Sequence, residues 1–284
     1  MDRRRAFWVL VVPPALWLAA FFLLPLVLMA VVSFRADLRG GLLTFPDLGL
    51  KQYAALASTP SFLRLLVLSS LVALAVAAVA TASAYPVAYF LAFRAGRRAG
   101  VYLLLLMVPF WTSYLLRVMA WKLILGSSGV INSLLIASGV LDEPVSLFLY
   151  NRSAVGITLT YVWIPFAALP ILAALQRIEP ALMEAAFDLG ATPLRRFLRV
   201  VLPLSLPGVL ASFFMVFIPT VGEYVTPLLV GGSRGSLYGN IIQDFFTKAA
   251  NWPLGSALSM VMLAMTLAWV ALAARLVNLR QWLT

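Results

Sequence analysis

Two ionisable residues, Arg117 and Glu223, lie within or at the ends of long apolar stretches of the sequence. An unpaired charge is expensive to bury in an apolar environment, so such residues are candidates for function. Aromatic residues lie close to both in the sequence, namely Trp111, Tyr114 and Tyr224. A carboxylate flanked by aromatic faces suits an organic cation, through charge pairing and cation–π contact. We therefore predict that these five residues line a path for a positively charged substrate.

The same residues also allow a purely structural interpretation. If each apolar stretch is one helix, Glu223 lies about 30 Å along its helix and Arg117 about 25 Å along its own, at a rise of about 1.5 Å per residue. At such similar depths the two side chains could neutralise each other. The aromatic residues could equally be ordinary anchors at a membrane interface. The sequence leaves both interpretations open.

Histidine and cysteine are both absent from the chain. Serine–histidine hydrolysis and HExxH zinc proteolysis need an imidazole, and disulfides need cysteine, so these chemistries are excluded. The phosphate-binding pattern GxxxxGK[ST] is also absent, and the glycine-rich segment at 231–236 lacks its lysine. We therefore expect no disulfide framework, no zinc site, no thiol nucleophile and no phosphate-binding loop in this chain.

The composition defines the solvent in which the chain folds. Of its 284 residues, 63% are hydrophobic and 11% are charged, whereas a soluble domain is about half apolar and about a quarter charged. So much apolar surface cannot be buried in one soluble core, which indicates a lipid bilayer. The net charge of +11 does not indicate nucleic acid, because the basic residues stand at the ends of apolar stretches rather than in a patch.

Charge-free stretches divide the chain into six predicted membrane spans. A spanning helix needs about 20 apolar residues, and lipid offers no partner for unpaired peptide groups, so the spans must be helical. They are predicted at 7–33, 63–93, 100–124, 153–176, 200–230 and 254–275. We expect residues 1–284 to form a single all-α membrane domain with an uncleaved first span. The longer loops at 35–61, 126–152 and 231–253 each have room for a short surface helix.

The basic residues predict the orientation of these spans. With the N-terminus in the cytoplasm, the cytoplasmic segments carry twelve arginines, and the external segments carry six arginines or lysines. Because cytoplasmic loops are enriched in these residues, both termini are predicted to be cytoplasmic.

One polar segment, residues 177–199, separates the fourth and fifth spans. Pro180 suits the first position of a helix, and "ALMEAAFDL" contains strong helix formers. Gly190 can take the left-handed conformation that ends a helix, and Thr192–Pro193 is typical of a cap before a second helix. The segment is therefore predicted to form two short helices joined by a glycine turn. From the residues alone it is either a docking element for a protein or an amphipathic segment on lipid headgroups.

The same segment carries a spaced pattern: Glu184-Ala-Ala, Gly190 after three residues, Val200 after nine, and then Leu202-Pro203. This pattern resembles the EAA motif of ABC-importer permeases, EAA-x3-G-x9-I-x-L-P, and departs from it only in valine for isoleucine. The resemblance implies the six-helix permease fold, with a cytoplasmic coupling helix between spans 4 and 5. It also implies a role in ATPase coupling for Glu184, Ala185, Ala186, Asp188, Gly190, Arg195 and Arg196.

Two further segments, at 108–121 and 218–232, are similar to permeases of the spermidine/putrescine importers. With the loop they cover spans 3 to 5, whereas the other spans agree only in length and topology. The resemblance implies a transport subunit of the bacterial inner membrane, without an ATPase site of its own, that moves a polyamine by alternating access. The implied partners are a second, different permease, two ATPase subunits that bind ATP and Mg, and an external substrate-binding protein.

Other functions stay open from the residues alone. The family also imports other small solutes, so an importer of ferric ion, an amino-acid derivative or a phosphonate is the nearest alternative. A secondary transporter would use intramembrane acids and broken helices, but it would not explain the loop at 177–199. A pair of two identical permeases is also not excluded by the sequence.

Overall fold

The structure is a computed structural model that describes residues 3–36, 48–145 and 150–276. Within these residues the regular structure is helical, apart from one isolated β-bridge between Arg35 and Leu48. Six stretches there are long and apolar enough to cross a membrane: Phe7–Ser33, Pro60–Phe93, Tyr114–Ala137, Arg152–Leu175, Pro193–Val221 and Trp252–Arg275. The prediction of an all-α chain with six spans is therefore confirmed for the described residues.

The described α-helices, in chain order, have the following bounds: α1 Arg3–Leu18, α2 Leu24–Ser33, α3 Lys51–Ser58, α4 Pro60–Phe93, α5 Ala99–Met107, α6 Tyr114–Leu125, α7 Val130–Ala137, α8 Arg152–Leu175, α9 Pro180–Asp188, α10 Pro193–Arg196, α11 Leu202–Val221, α12 Tyr238–Thr247 and α13 Trp252–Leu276. They fall into two compact units. The first comprises the described parts of Met1–Arg64 and Ile241–Leu267, and the second those of Leu65–Asn240 and Ala268–Thr284. All candidate functional residues belong to the second unit.

The first unit contains the N-terminal span, which exposes most of its surface. A π-helical turn at Ala19–Leu23 joins α1 to α2, and only 6% of this span is buried. Where the span ends, the hydroxyl of Ser33 lies 2.7 Å from that of Tyr53 in α3. A helix that is apolar on all sides and unburied needs lipid or another subunit around it.

The second unit has a core of closely packed helices. Small side chains line the buried side of α4 at helical spacing: Ala73, Ala77, Ala80, Ala84 and Ala88 are fully buried. A hydroxyl pair, Thr81 and Ser212 at 3.3 Å, connects α4 to α11. Small residues and hydroxyl contacts let membrane helices approach closely, where no hydrophobic effect drives their association.

The contact between α8 and α11 depends on a glycine. A Cβ atom at Gly208 would lie 2.5 Å from the Cβ of Ala174 and 2.6 Å from the carbonyl oxygen of Pro170. Both neighbours belong to α8, and one of them is backbone, so neither can rotate away. The close approach of these two helices therefore requires glycine at this position.

We expect Gly208→Ala to force α8 and α11 apart and to destabilise the protein by about 1–3 kcal/mol, the usual cost of overpacking. The measurement is the thermal unfolding midpoint of the purified protein. Gly156→Ala is the matched control, because a Cβ at Gly156 meets nothing within 4 Å and alanine favours helix by about 1 kcal/mol. Equal midpoints for the two variants would contradict the packing role of Gly208.

The third predicted span, 100–124, is not a single helix, and the stretch that is long and apolar enough to cross a membrane begins at Tyr114 and extends to Ala137, into the loop predicted at 126–152. In the structure α5 ends at Met107, a 3-10 turn covers Val108–Trp111, and α6 begins only at Tyr114. Pro109 lies within the turn, and proline interrupts a helix because it lacks the backbone N–H and its ring clashes with the preceding turn. Hydropathy stays high across this break, which is why the charge pattern did not reveal it.

The fifth span, predicted at 200–230, is also interrupted. The helix α11 ends at Val221, and helical structure resumes only at Val225 after three non-helical residues. Glu223 is one of those three, so it does not lie within a continuous helix as predicted. Its own side chain stabilises the break, as described below.

Candidate functional site

The loop between the fourth and fifth spans folds as two short helices about a glycine turn. Pro180 is the first residue of α9, and Gly190 follows the helix with a φ of +73°. The N–H of Gly190 donates to the carbonyl of Phe187 at 2.8 Å, and the N–H of Ala191 donates to that of Ala186 at 3.0 Å. These two bonds form a Schellman motif, which satisfies carbonyls left free at a helix end.

A cap at the next helix follows directly. The Thr192 hydroxyl accepts a hydrogen bond from the N–H of Arg195 at 3.4 Å, and Pro193 begins α10. A π-helical turn at Phe197–Val201 then leads into α11. The glycine turn between two helices is as predicted, but the second helix is not a separate short one, because it continues from Pro193 through the π-helical turn into α11.

The surface of α9 and its turn carries both small residues and large apolar ones, and most of them are exposed. Glu184 and Ala185 are exposed, and Ala186 is partly exposed. Phe187 and Leu189 expose 64% and 88% of their surface. Contiguous exposed apolar side chains are typical of a surface that another macromolecule covers, and alanines let that partner approach closely.

A groove of about 570 Å³ lies beside α9, and its lining includes Glu184, Phe187, Asp188 and Arg196. The Cζ atom of Arg196 lies 5.4 Å from the ring centroid of Phe187, within cation–π range. The Nε atom of Arg196 is buried without a hydrogen-bond partner among the described residues, whereas Arg195 is exposed. The candidate coupling residues therefore all lie in α9, in the turn that follows it and in α10.

We expect Gly190→Val to weaken communication through this loop without affecting membrane insertion. A Cβ at Gly190 would meet nothing within 4 Å, so the effect is purely conformational. A side chain in the left-handed region costs roughly 1–2 kcal/mol, more when it is β-branched. Gly190→Asn is the matched control, because asparagine tolerates this conformation. Substrate-stimulated ATPase activity in reconstituted vesicles should fall for valine and persist for asparagine; equal activities would contradict the role of the turn.

A second group of polar residues surrounds the break in the fifth span. The Oε1 atom of Glu223 accepts hydrogen bonds from the N–H groups of Val225 at 2.8 Å and Thr226 at 3.0 Å. The carboxylate therefore caps the helical turn that resumes after the break. The hydroxyl of Thr226 lies 2.6 Å from that of Tyr114, the first residue of α6. The breaks in the third and fifth spans are thus joined by a hydrogen bond.

Arg117 lies one turn further along α6 and is only 8% exposed. Its Cζ atom lies 4.7 Å from the ring centroid of Phe110 and 6.0 Å from that of Tyr114. Its Nε atom is buried without a hydrogen-bond partner in the described part of the chain. No described carboxylate oxygen lies within 4.0 Å of its nitrogens, so the direct ion pair with Glu223 is not formed in this conformation.

The structure brings three of the five candidate path residues together and leaves the other two more exposed. Tyr114 lies beside Arg117, and it interacts with Glu223 both directly and through Thr226. Trp111 and Tyr224, by contrast, expose 71% and 43% of their surface. These exposures are compatible with a path lining and with an interface anchor, so their role stays a prediction.

Two residues that the sequence did not single out hold the break in place. The Nδ2 atom of Asn240 donates to the carbonyl of Tyr224 at 2.8 Å. A Cβ at Gly239 would lie 2.7 Å from the carbonyl oxygen of Gly222 and 2.8 Å from that of Glu223. The start of α12 therefore packs directly on the non-helical residues. No local sequence pattern indicates this contact, because its partners are separated by some sixteen positions.

The described residues form six apolar spans with a capped helix–turn–helix loop before the fifth, which is the architecture of a multi-pass membrane protein. Residues 3–283 match the family described as "Binding-protein-dependent transport system inner membrane component". The chain belongs to this family, and it is an inner-membrane permease subunit of an ABC importer. The resemblance carried by the EAA-type loop is thereby confirmed.

Two curated relatives match nearly the whole chain. The spermidine/putrescine transport system permease protein PotB of Escherichia coli (strain K12) is 34% identical over 248 residues, covering 87% of this chain and 88% of that protein. The inner membrane ABC transporter permease protein YdcU of the same strain is 31% identical over 287 residues, covering 93% of this chain and 90% of YdcU. The predicted similarity to spermidine/putrescine permeases is therefore confirmed.

A solved structure has the same fold. It is a chain of a bacterial ABC transporter involved in the import of the acidic polysaccharide alginate, with a TM-score of 0.71 over 97% of this chain and 96% of that one. The two sequences are only 18% identical, so this likeness concerns the fold and not the substrate.

Proposed function

We propose that this chain is one of two permease subunits in an ATP-driven importer that carries a polyamine, such as spermidine or putrescine, into the cytoplasm. The proposal rests on the 34% identity over 87% of the chain to PotB, a protein named for spermidine/putrescine transport. The chemistry of the intramembrane site supports it, since a carboxylate near aromatic rings suits an ammonium group.

Glu223 is the proposed contact for that ammonium group. Two backbone donors bind its Oε1 atom, and the Tyr114 hydroxyl also interacts with the carboxylate, but a carboxylate offers about four lone-pair sites. The side chain therefore keeps acceptor capacity while its position is fixed by the cap. Arg117 lies against Phe110 and Tyr114 instead of neutralising it, which leaves the negative charge available to a cation.

The proposed cycle places the energy source outside this chain. Two ATPase subunits bind ATP and Mg, and their closure moves α9 through its exposed alanine surface. The Gly190 turn and the π-helical turn at Phe197–Val201 pass that movement to α11. The spans then change from inward-facing to outward-facing, accept substrate from an external binding protein, and return when ATP is hydrolysed. This chain transmits movement and lines a path, and we expect neither catalytic residues nor cofactors in it.

The proposed orientation places both termini and the α9–α10 loop in the cytoplasm. The twelve-to-six distribution of basic residues supports this arrangement. It puts the exposed surface of α9 on the side where ATP is available. A cysteine introduced at exposed Ser138, which directly follows the third membrane-crossing stretch, should then react with an impermeant thiol reagent from outside intact cells, whereas one at exposed Gln176 should not.

The experiment that tests the proposed function has two readouts. Purification of the chain from its native membrane should bring an ATPase subunit with it, which a secondary transporter would not do. Binding assays on the cognate external protein should then show preference for spermidine or putrescine over ferric ion, an amino-acid derivative or a phosphonate. Preference for any of the latter would reject the polyamine substrate while leaving the importer assignment intact.

We expect the second permease to be a different chain, as the family resemblance implies. Six spans and one coupling loop provide half of a path, so a second set is needed. Co-expression of this chain with only the ATPase and the binding protein should therefore give no uptake, and adding the second permease should restore it. Full uptake without a second permease would show that two copies of this chain suffice.

A further inference from the structure

A separate cavity of about 570 Å³ opens beside the C-terminal half of α4, at the start of the fifth span. Its lining consists of Ala82, Tyr85, Pro86, Tyr89 and Phe197, none of which is charged. Three of these five residues are aromatic. None of these five residues belongs to the proposed path at Glu223, and none lines the groove beside α9.

The Phe197 ring meets both tyrosine rings of the cavity nearly at right angles. The Phe197 ring is nearly perpendicular to that of Tyr85, at 88° with centroids 5.6 Å apart, and to that of Tyr89, at 74° and 6.1 Å. The Tyr85 hydroxyl lies 2.8 Å from the Ser205 hydroxyl of α11, which fixes the orientation of its ring. Perpendicular aromatic walls form the type of cage that binds alkylammonium groups, because each ring face carries negative potential.

We propose that this cavity is an ammonium-binding cage that holds one end of the transported amine at the coupling-loop side of the membrane. The proposal deepens the polyamine function and rests on it. A second cavity of about 510 Å³, between α4 and α8, offers a contrast within the same unit. Its ten lining residues include only two aromatic ones, Trp121 and Tyr161, and most of the others are aliphatic or small, so its composition suits an acyl chain rather than a cation.

The position of the cage ties it to the coupling loop. Phe197 directly follows Arg196, a residue of the groove beside α9, and it begins a π-helical turn. Such turns within helices are frequent at functional sites. Tyr89 also contacts Phe93 at a centroid distance of 5.0 Å, and Phe93 lines that same groove. A movement of the loop would therefore move the Phe197 wall of the cage. Amine binding would then change the preferred position of the loop, and the position of the loop would change the affinity for the amine.

The test compares two probes of equal shape on the complete transporter in lipid nanodiscs, without the external binding protein. Choline carries a quaternary ammonium group, and 3,3-dimethylbutan-1-ol is its neutral carbon isostere. Saturation-transfer NMR titrations should show choline binding at least about threefold more tightly, as expected for cation–π contact. Equal binding of the two probes by the unmodified protein would overturn the proposal and assign the cavity to lipid chains.

Variants locate the preference in the cage. In a Glu223→Gln background, which removes the other proposed ammonium contact, Tyr89→Leu should abolish the preference for choline, whereas Tyr89→Phe, which keeps the ring, should retain it. Tyr102→Leu is the matched control, because Tyr102 also pairs with an aromatic residue of α4, Phe90 at 5.5 Å, but does not line the cage. An undiminished preference in Tyr89→Leu would place the cation elsewhere and overturn the proposal.

Spermidine uptake by the unmodified protein tests the polyamine function independently of the cage. Uptake together with equal binding of the two probes removes the cage and keeps the polyamine function. A preference for choline that depends on Tyr89, in a transporter that does not take up spermidine, keeps the cage as an ammonium site and removes the polyamine substrate.

Discussion

Glu223→Gln is expected to lower polyamine uptake by tenfold or more while leaving the protein folded and assembled with its ATPase. A hydrogen bond to a charged group contributes about 1.5–3 kcal/mol, which corresponds to roughly tenfold to a hundredfold in affinity or rate. The amide of glutamine has no charge to offer the passing ammonium group. Uptake kinetics in reconstituted vesicles, with the unfolding midpoint measured beside them, provide the test.

The structure shows that this substitution changes the charge of Glu223 without removing its hydrogen bonds to the backbone. Glu223 has a second role, because its Oε1 atom caps the helix that resumes at Val225. Glutamine keeps an oxygen acceptor at that position and therefore keeps the cap, so only the charge is lost. Glu223→Leu removes the cap as well, so it should lower the free energy of unfolding by about 1 kcal/mol and with it the unfolding midpoint. The two variants thus separate the charge from the fold.

Arg117 supplies the remaining control for this prediction. If the carboxylate served only to neutralise Arg117, Glu223→Gln would lower stability, and adding Arg117→Gln would restore it. We expect no such rescue, since the guanidinium packs against Phe110 and Tyr114. A well-folded Glu223→Gln variant with normal uptake kinetics would rule out the substrate-path role.

The loop at 177–199 was predictable because its structure is determined by neighbouring residues. Pro180 starts α9, Gly190 adopts a φ of +73°, and Thr192 caps the next helix. Each signal acts over three or four residues, through a fixed φ, a left-handed turn or one side-chain hydrogen bond. Such signals do not depend on the rest of the fold, so the sequence alone was sufficient.

The breaks in the third and fifth spans were not predictable in the same way. Charge and hydropathy indicate whether a segment prefers lipid. They do not indicate where the helix is interrupted, so they do not reveal the break. The groups that satisfy the broken backbone come from distant positions, as Asn240 does for the carbonyl of Tyr224. Gly239 is needed there only because the carbonyl of Glu223 lies against it. Such requirements exist only once the helices are packed.

Ala185→Trp is the second substitution with a large expected effect, namely loss of substrate-stimulated ATPase activity. Ala185 is exposed on α9, and its carbonyl accepts the N–H of Leu189 at 3.1 Å as part of the helix end. A tryptophan keeps that backbone bond and adds bulk only at the outer surface. We therefore expect normal insertion and an unchanged unfolding midpoint, with ATPase stimulation reduced at least about tenfold because the partner can no longer approach.

Gln176→Trp is the matched control for added bulk. Gln176 is exposed and directly follows the last residue of α8, so it lies just before the loop that contains α9. It does not line the groove beside α9. Its variant should retain full stimulation, and Ala185→Ser, which adds one oxygen, should retain most of it. If both tryptophan variants lost activity equally, added bulk anywhere in the loop would be the cause and α9 would lose its special role. Full stimulation in Ala185→Trp would exclude α9 as the contact altogether, because an indole cannot be accommodated in an interface built for a methyl group.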